Sequence, residues 1–267
     1  MQDTGFENIF RNKGGIKFPS FDPEILERCK TKLWEIGVTP EQVCEAASYS
    51  MAMVVRYALG LTGQDSRVAV LACDTLSGWV ALATARHLIN SGATAEIIVP
   101  PAGVKLSSHF ERQLKPLRTM RASFHDVSAL TSSEPLQAEL LQQIVSSCHN
   151  LIWGTFGAEN QDWVPTFVER LNDLSTPVHC IECPPGIDPS SGKKLPEPLY
   201  ASSTLSLGAP LSGLFNGSDC AGRHYLCDVS FTSEIYSDAG FDLSPLFAEQ
   251  PVVQIFPEKE DNSKEPG

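Results

Sequence analysis

Five short, mostly apolar runs recur at helix-length intervals: residues 68–73 (VAVLAC), 95–99 (AEIIV), 122–125 (ASFH), 150–153 (NLIW) and 178–183 (VHCIEC). A strand with one wet face alternates apolar and polar residues, whereas a run without that alternation needs cover on both faces. The intervening segments, read as helices over 78–90, 107–120, 134–148 and 163–174, supply the cover and are long enough to cross over between parallel neighbours. The fold class expected is therefore α/β: a Rossmann-like three-layer αβα sandwich with a mainly parallel sheet.

Two helices precede the first strand. Ser20 or Asp22 can cap a helix that begins at Pro23 and runs to Ile36, and Thr39-Pro40-Glu41-Gln42 repeats the arrangement before a helix reaching Gly60. The second of these carries Met51, Met53, Val54, Val55 and Tyr57, more large apolar residues than one buried face requires. Helices 23–60 are accordingly expected to offer a dimer surface, with packing into the chain's own core as the alternative for that cluster. Downstream, PPGIDPSSGKKLPEP is too rich in breakers for regular structure. Residues 204–207 and 224–229 are expected as an edge pair closing the sheet, before a short helix over 232–239. The organisation predicted is an N-terminal arm (1–20), whose Phe6, Ile9, Phe10, Ile16 and Phe18 are expected to pack on the domain or on a partner, one domain (21–257) and a disordered acidic tail (258–267).

Thirty-two acidic residues against twenty basic give a net charge of −12, which works against binding a phosphate backbone. The densest basic run, Lys105 to Arg121, reads as the solvated face of a helix. No stretch approaches the roughly 18 to 20 apolar residues of a membrane span. The N-terminal sequence lacks the basic and apolar regions of a secretory signal, so a cytoplasmic protein is expected. Of eight cysteines, Cys180 and Cys183 have metal or redox spacing, but Cys29, Cys44, Cys73 and Cys148 fall in apolar-periodic segments. Free core thiols, with no metal site, are the expectation.

The turn after the first apolar run, Cys73-Asp74-Thr75-Leu76-Ser77-Gly78-Trp79, has one glycine where phosphate-cradling loops carry several. Four blocks in order resemble the YjeF N-terminal domain family. They are residues 68–88, ending in Ala85-Arg86-His87-Leu88; Glu182-Cys183-Pro184-Pro185-Gly186-Ile187-Asp188; Leu207-Gly208-Ala209-Pro210-Leu211; and Gly222-Arg223-His224-Tyr225. The likeness runs from about residue 22 to 256. The resemblance implies NAD(P)H-hydrate epimerases, with the ligand at the carboxyl ends of the strands, together with non-enzymatic relatives.

Against the enzymes' glycine- and asparagine-rich first loop, this chain has Leu76 and Ser77 for the polar pair, Val80 for an aspartate, and Trp79 where a pyrophosphate would approach. Gly154 stands in place of a second loop's carboxylate, Glu182 in place of an aspartate, and Leu211 in place of a lysine. Glu182 and Asp188 are vestigial catalytic candidates, more suited to stabilising loops. Asp74, Thr75, Ser77, Gly78, Gly154 and Thr155 outline a ligand crevice, a vestigial nucleotide site with no cofactor expected. These departures resemble the C-terminal domain of the enhancer of mRNA decapping scaffolds. That branch implies a homodimer, protein partners of the decapping machinery and a place in cytoplasmic P-bodies. RNA binding is implied for some of its members, an expectation weakened here by the acidic balance. The alternatives are an epimerase or a nucleotide binder with a remodelled loop.

Overall fold

In the computed structural model the described residues are 8–60, 64–101, 103–131, 135–158 and 162–258. Residues 259–267, most of the expected tail, lie outside them.

Among the described residues, ten strands form one sheet: β1 (Ile9–Asn12), β2 (Lys17–Pro19), β3 (Arg67–Ala72), β4 (Thr94–Val99), β5 (Ala122–Asp126), β6 (Asn150–Gly154), β7 (Val178–Ile181), β8 (Ser203–Leu207), β9 (Arg223–Cys227) and β10 (Val252–Pro257). Their order is β2-β1-β10-β9-β8-β7-β6-β3-β4-β5. Strands β3 to β9 pair in parallel, whereas β10, β1 and β2 add antiparallel strands at one edge. Helices that contribute to the core on one face of the sheet include α1 (Pro23–Glu35), α2 (Pro40–Met53), α3 (Leu76–Asn90) and α4 (Ser108–Leu117).

Strand β3 explains the absence of alternation. Val68, Val70 and Ala72 join that core with Leu33, Met51, Val80 and Phe110 from the four helices. Ala69 and Leu71 point the other way, into a second core with Leu141 and Phe167 of helices Pro135–Ser146 and Trp163–Asn172. Both faces of the strand are dry, as its composition requires. Helix α2 starts in a reciprocal capping box: Gln42 N–H donates to Thr39 Oγ1, and Thr39 N–H to Gln42 Oε1. It ends in a π-helical turn, Val54–Ala58.

One expectation changes and two are refined. The pair at 204–207 and 224–229 is parallel and interior, because β10 covers β9 and the sheet continues through β1 and β2. Part of the arm belongs to the domain: Phe10 and Phe18 are paired residues of a hairpin, both buried, and Glu258 N–H bonds back to Ile9 O while its carboxylate meets Arg11 and Lys17. Met51, Val54 and Val55 are core residues, which leaves Tyr49 and Tyr57 as the exposed large groups of this segment.

All eight cysteines are free and buried. Among the described residues no helix is long and apolar enough to cross a membrane.

Two histidines are buried between strands. His179 Nε2 donates to Asn150 Oδ1 (2.6 Å) and Nδ1 accepts from Ser203 (2.9 Å), while His224 meets the Ser206 hydroxyl at 2.8 Å. Burial disfavours the charged ring, pushing His179 down to about 4 and His224 to about 3. In the unfolded chain both titrate near pH 6.5. Between that value and pH 4 the unfolded state binds more protons, so stability present at neutral pH is lost as pH falls. We expect urea-unfolding free energy to drop from pH 6.5 to 4 with a slope approaching about 1.4 kcal/mol per pH unit for each histidine. His179→Gln should remove one share of it, and a profile flat between pH 6.5 and 5 would contradict the assignment.

Candidate functional site

Strand β3 leads through α3 to β4 on one side, and β6 lies on its other side, so the connections diverge between β3 and β6. In open α/β sheets a crevice for ligands forms at the carboxyl ends of the strands at such a point. Here it holds about 370 Å³. Thr75, Leu76, Ser77 and Trp79 line it from the β3 loop and the start of α3, and Phe156 and Gly157 from the loop after β6. Glu27, Lys30 and Trp34 of α1, Pro40 of α2, and Glu182 beyond β7 complete the wall.

Two glycines set the joint between α3 and the sheet. A Cβ on Gly154 would lie 2.5 Å from Ser77 O and 2.9 Å from Gly78 Cα, and one on Gly78 would lie 1.8 Å from Cys73 O. Neither position can carry a side chain without moving backbone. Ser77 Oγ then donates to Phe156 O at 3.0 Å, tying the β3 and β6 loops together.

The first turn of α3 is closed on itself. Thr75 caps it, accepting from Gly78 N–H, and Trp79 N–H donates to Thr75 O. Trp79 Nε1 donates to Asp74 Oδ1 at 2.9 Å, and the same carboxylate accepts from the Ser107 N–H and hydroxyl at the start of α4. The indole stacks on His109 at 4.7 Å and 21°. His109 Nδ1 in turn meets Glu41 Oε1 at 2.7 Å.

The charged centre is Lys30, which contacts Glu27 (2.9 Å) and Glu182 (3.1 Å). Lys30 and Glu182 are buried to 6 % and 3 % exposure, whereas the Glu27 side chain is 66 % exposed. Burial pulls the ammonium down, but Glu182 and Glu27 outweigh it and hold Lys30 above the ordinary lysine range. Glu182 also occupies the left-handed region, φ +69°, which costs a side-chain-bearing residue about 1–2 kcal/mol.

Of the residues expected at the crevice, Thr75, Ser77 and Glu182 line it. Asp74 stands beside it with its oxygens engaged by Trp79 and Ser107. Gly78 and Gly154 are packing positions, and Thr155 is buried, accepting from Trp153 Nε1. Asp188 is not in the lining: its carboxylate accepts from Ser190 N–H and from Ser191 N–H and hydroxyl. The Ser191 N–H, its hydroxyl and the Ser190 N–H lower its pKa. Trp79 narrows the approach to α3 without filling the crevice, because Asp74 and His109 pin it at the wall. Sequence reasoning missed Lys30, Glu27 and Trp34; the signal was a lysine set among Leu26, Cys29 and Leu33 on the buried side of α1.

A larger depression of about 940 Å³ lies between the β1–β2 hairpin, the π-helical turn and β10, around Ile16, Tyr57 and Arg223. It is away from the carboxyl ends of β3, β6 and β7.

The family model described as YjeF-related protein N-terminus matches residues 40–213. The chain is 26% identical over 218 residues to an NAD(P)H-hydrate epimerase of Dehalogenimonas lykanthroporepellens, covering 82% of this chain and 84% of the relative. It is 25% identical over 186 residues to the bifunctional NAD(P)H-hydrate repair enzyme Nnr of Salinibacter ruber, covering 67% of this chain and 34% of that enzyme. It thus spans about a third of the length of that bifunctional relative. Among solved structures, yeast Ynu0 superposes with a TM-score of 0.74 at 17% identity, over 89% of this chain and all of that one.

Removing one partner of a buried ion pair leaves an uncompensated charge, at a cost of about 3–5 kcal/mol. We expect Lys30→Met to lose stability on that scale in urea unfolding. The double variant Lys30→Met/Glu182→Gln should regain most of the loss. Losses that simply add would show that the two groups do not interact.

Proposed function

This chain belongs to the family of YjeF-related N-terminal domains, and from that premise we propose that it is a binding member rather than an epimerase. It serves as a scaffold or partner-binding module, similar to the domain of the mRNA-decapping enhancers. The observation that carries this reading is the closed first turn of α3. Epimerisation calls for positioned polar groups at a bound dinucleotide, each contributing about 10²- to 10⁴-fold. Asp74, the carboxylate that precedes that turn, instead holds Trp79 and the start of α4. Gly154 cannot give way to a carboxylate without moving Ser77 and Gly78.

A two-fold assembly fits this role, with Tyr49 and Tyr57 exposed at 53% and 66% next to the C-terminal part of α2. Partners from the decapping machinery and a cytoplasmic, P-body location follow from the same reading. The net charge of −12 disfavours RNA as the main partner.

The test is exchange between separated NAD(P)H-hydrate epimers, followed by chromatography. The expected result is exchange at the rate seen without protein. Accelerated exchange abolished by Glu182→Gln would overturn the proposal.

A nucleotide binder without turnover is the second reading, favoured by a crevice that is open at the strand switch point. A ligand at 100 times its dissociation constant adds about 2.7 kcal/mol of stability. We expect millimolar NAD and AMP to leave the melting temperature unchanged; a rise of several degrees with either would favour this second reading.

A further inference from the structure

We propose that the crevice between α1 and the loops after β3 and β6 is a receptor for a methylated ammonium group, on a small molecule or on a lysine side chain. This rests on the proposed function, in which the crevice does not serve a pyrophosphate.

The lining decides the ligand's charge. Two carboxylates, Glu27 and Glu182, face one ammonium, Lys30, leaving one negative charge with no other cation among the described residues of the wall. Lys30 already contacts both acids, so an incoming anion has to compete with them for it. A ligand bearing a single positive charge brings the crevice to neutrality.

The rest of the wall decides what kind of cation. Trp34, Trp79 and Phe156 give it three aromatic rings. A divalent metal needs several oxygen ligands, typically six or more. Among the described residues no group of three His, Cys, Asp or Glu comes together to hold one. Methylated ammonium is weakly hydrated and takes its attraction from ring faces, tryptophan best of all. Trp79 is prepared for this. Its ring stacks on His109, and the residue lines the crevice. The ring's N–H donates to a carboxylate, which polarises the indole toward greater electron density. The volume of about 370 Å³ suits a small headgroup.

The exposed Glu27 sets the entry. Its side chain is 66% exposed while touching Lys30, so it can meet a cation at the mouth without any change in the core.

The experiment is a tryptophan-fluorescence titration with calorimetric confirmation. One arm uses choline against its neutral carbon analogue 3,3-dimethylbutan-1-ol, and a second uses a trimethyllysine peptide against the unmethylated peptide. NAD and AMP form the third. The expected result is saturable binding of choline or the methylated peptide at least tenfold tighter than its control, the two arms separating a free metabolite from a modified protein. Glu27→Gln and Trp34→Leu, each checked for unchanged melting and circular dichroism, should weaken binding from twofold to about thirtyfold. Equal binding of the carbon analogue, or unaltered binding in both folded variants, overturns the proposal. If no probe binds, only the methylated-ammonium site falls; if NAD or AMP binds and choline does not, the reading of a crevice unsuited to phosphate falls with it.

Discussion

Two backbones meet at the carboxyl end of the sheet without a side chain between them, and the geometry of the crevice depends on that contact. Gly78 in the first turn of α3 lies against Gly154 at the end of β6, so close that a Cβ on Gly154 would stand 2.9 Å from Gly78 Cα. Glycine is needed here for approach rather than for an unusual dihedral angle, since neither residue has a positive φ. With the helix seated this low, Ser77 reaches the carbonyl of Phe156 and fastens the two loops. Trp79 leaves the helix on the side of α4, where His109 meets it. The crevice is the space that remains between this tight joint and α1.

Helix α1 closes that space with a costly interaction. A buried ion pair repays its desolvation only when geometry is good and both partners are otherwise satisfied. Lys30 contacts two carboxylates, and one of them, Glu182, sits on a backbone conformation that favours glycine. Glu182 thus combines a buried charge with an unfavourable backbone angle. Glu182 gives the crevice a fixed charge and Glu27 gives it an exposed one.

The parallel body of the sheet was legible because its strands are dry on both faces. Val68, Val70 and Ala72 enter one core, Ala69 and Leu71 the other, and the composition of residues 68–72 leaves no other arrangement. The hairpin of β1 and β2 was not legible: strands of four and three residues in a polar arm show no periodicity, and Phe10 and Phe18 become partners only across the turn. The site was legible in part for a related reason. Loop residues such as Thr75, Ser77 and Glu182 follow from where strands end, but Lys30 and Trp34 come from a helix far away in sequence, and their position follows only from how α1 lies over the sheet. Asp74 reads as a ligand group and Asp188 as a loop stabiliser, and a carboxylate near free N–H groups in a loop is readily consumed by those groups. Both are consumed in that way here.

The carboxylate of Asp74 ties the start of α3 to α4. Its oxygens hold the indole of Trp79 and the N–H and hydroxyl of Ser107, which caps α4. Trp79 stacks on His109, His109 bonds to Glu41 in the first turn of α2, and Arg112 of α4 pairs with the same glutamate. Freeing the start of α3 for a phosphate would therefore release the indole, weaken a cap and loosen the junction of α2, α3 and α4 together. Groups that share partners in this way do not respond additively to substitution. The crevice beside this junction takes its charge from Glu27 and Lys30 of α1 and from Glu182 beyond β7, so the charged part of its wall is built from elements outside the junction.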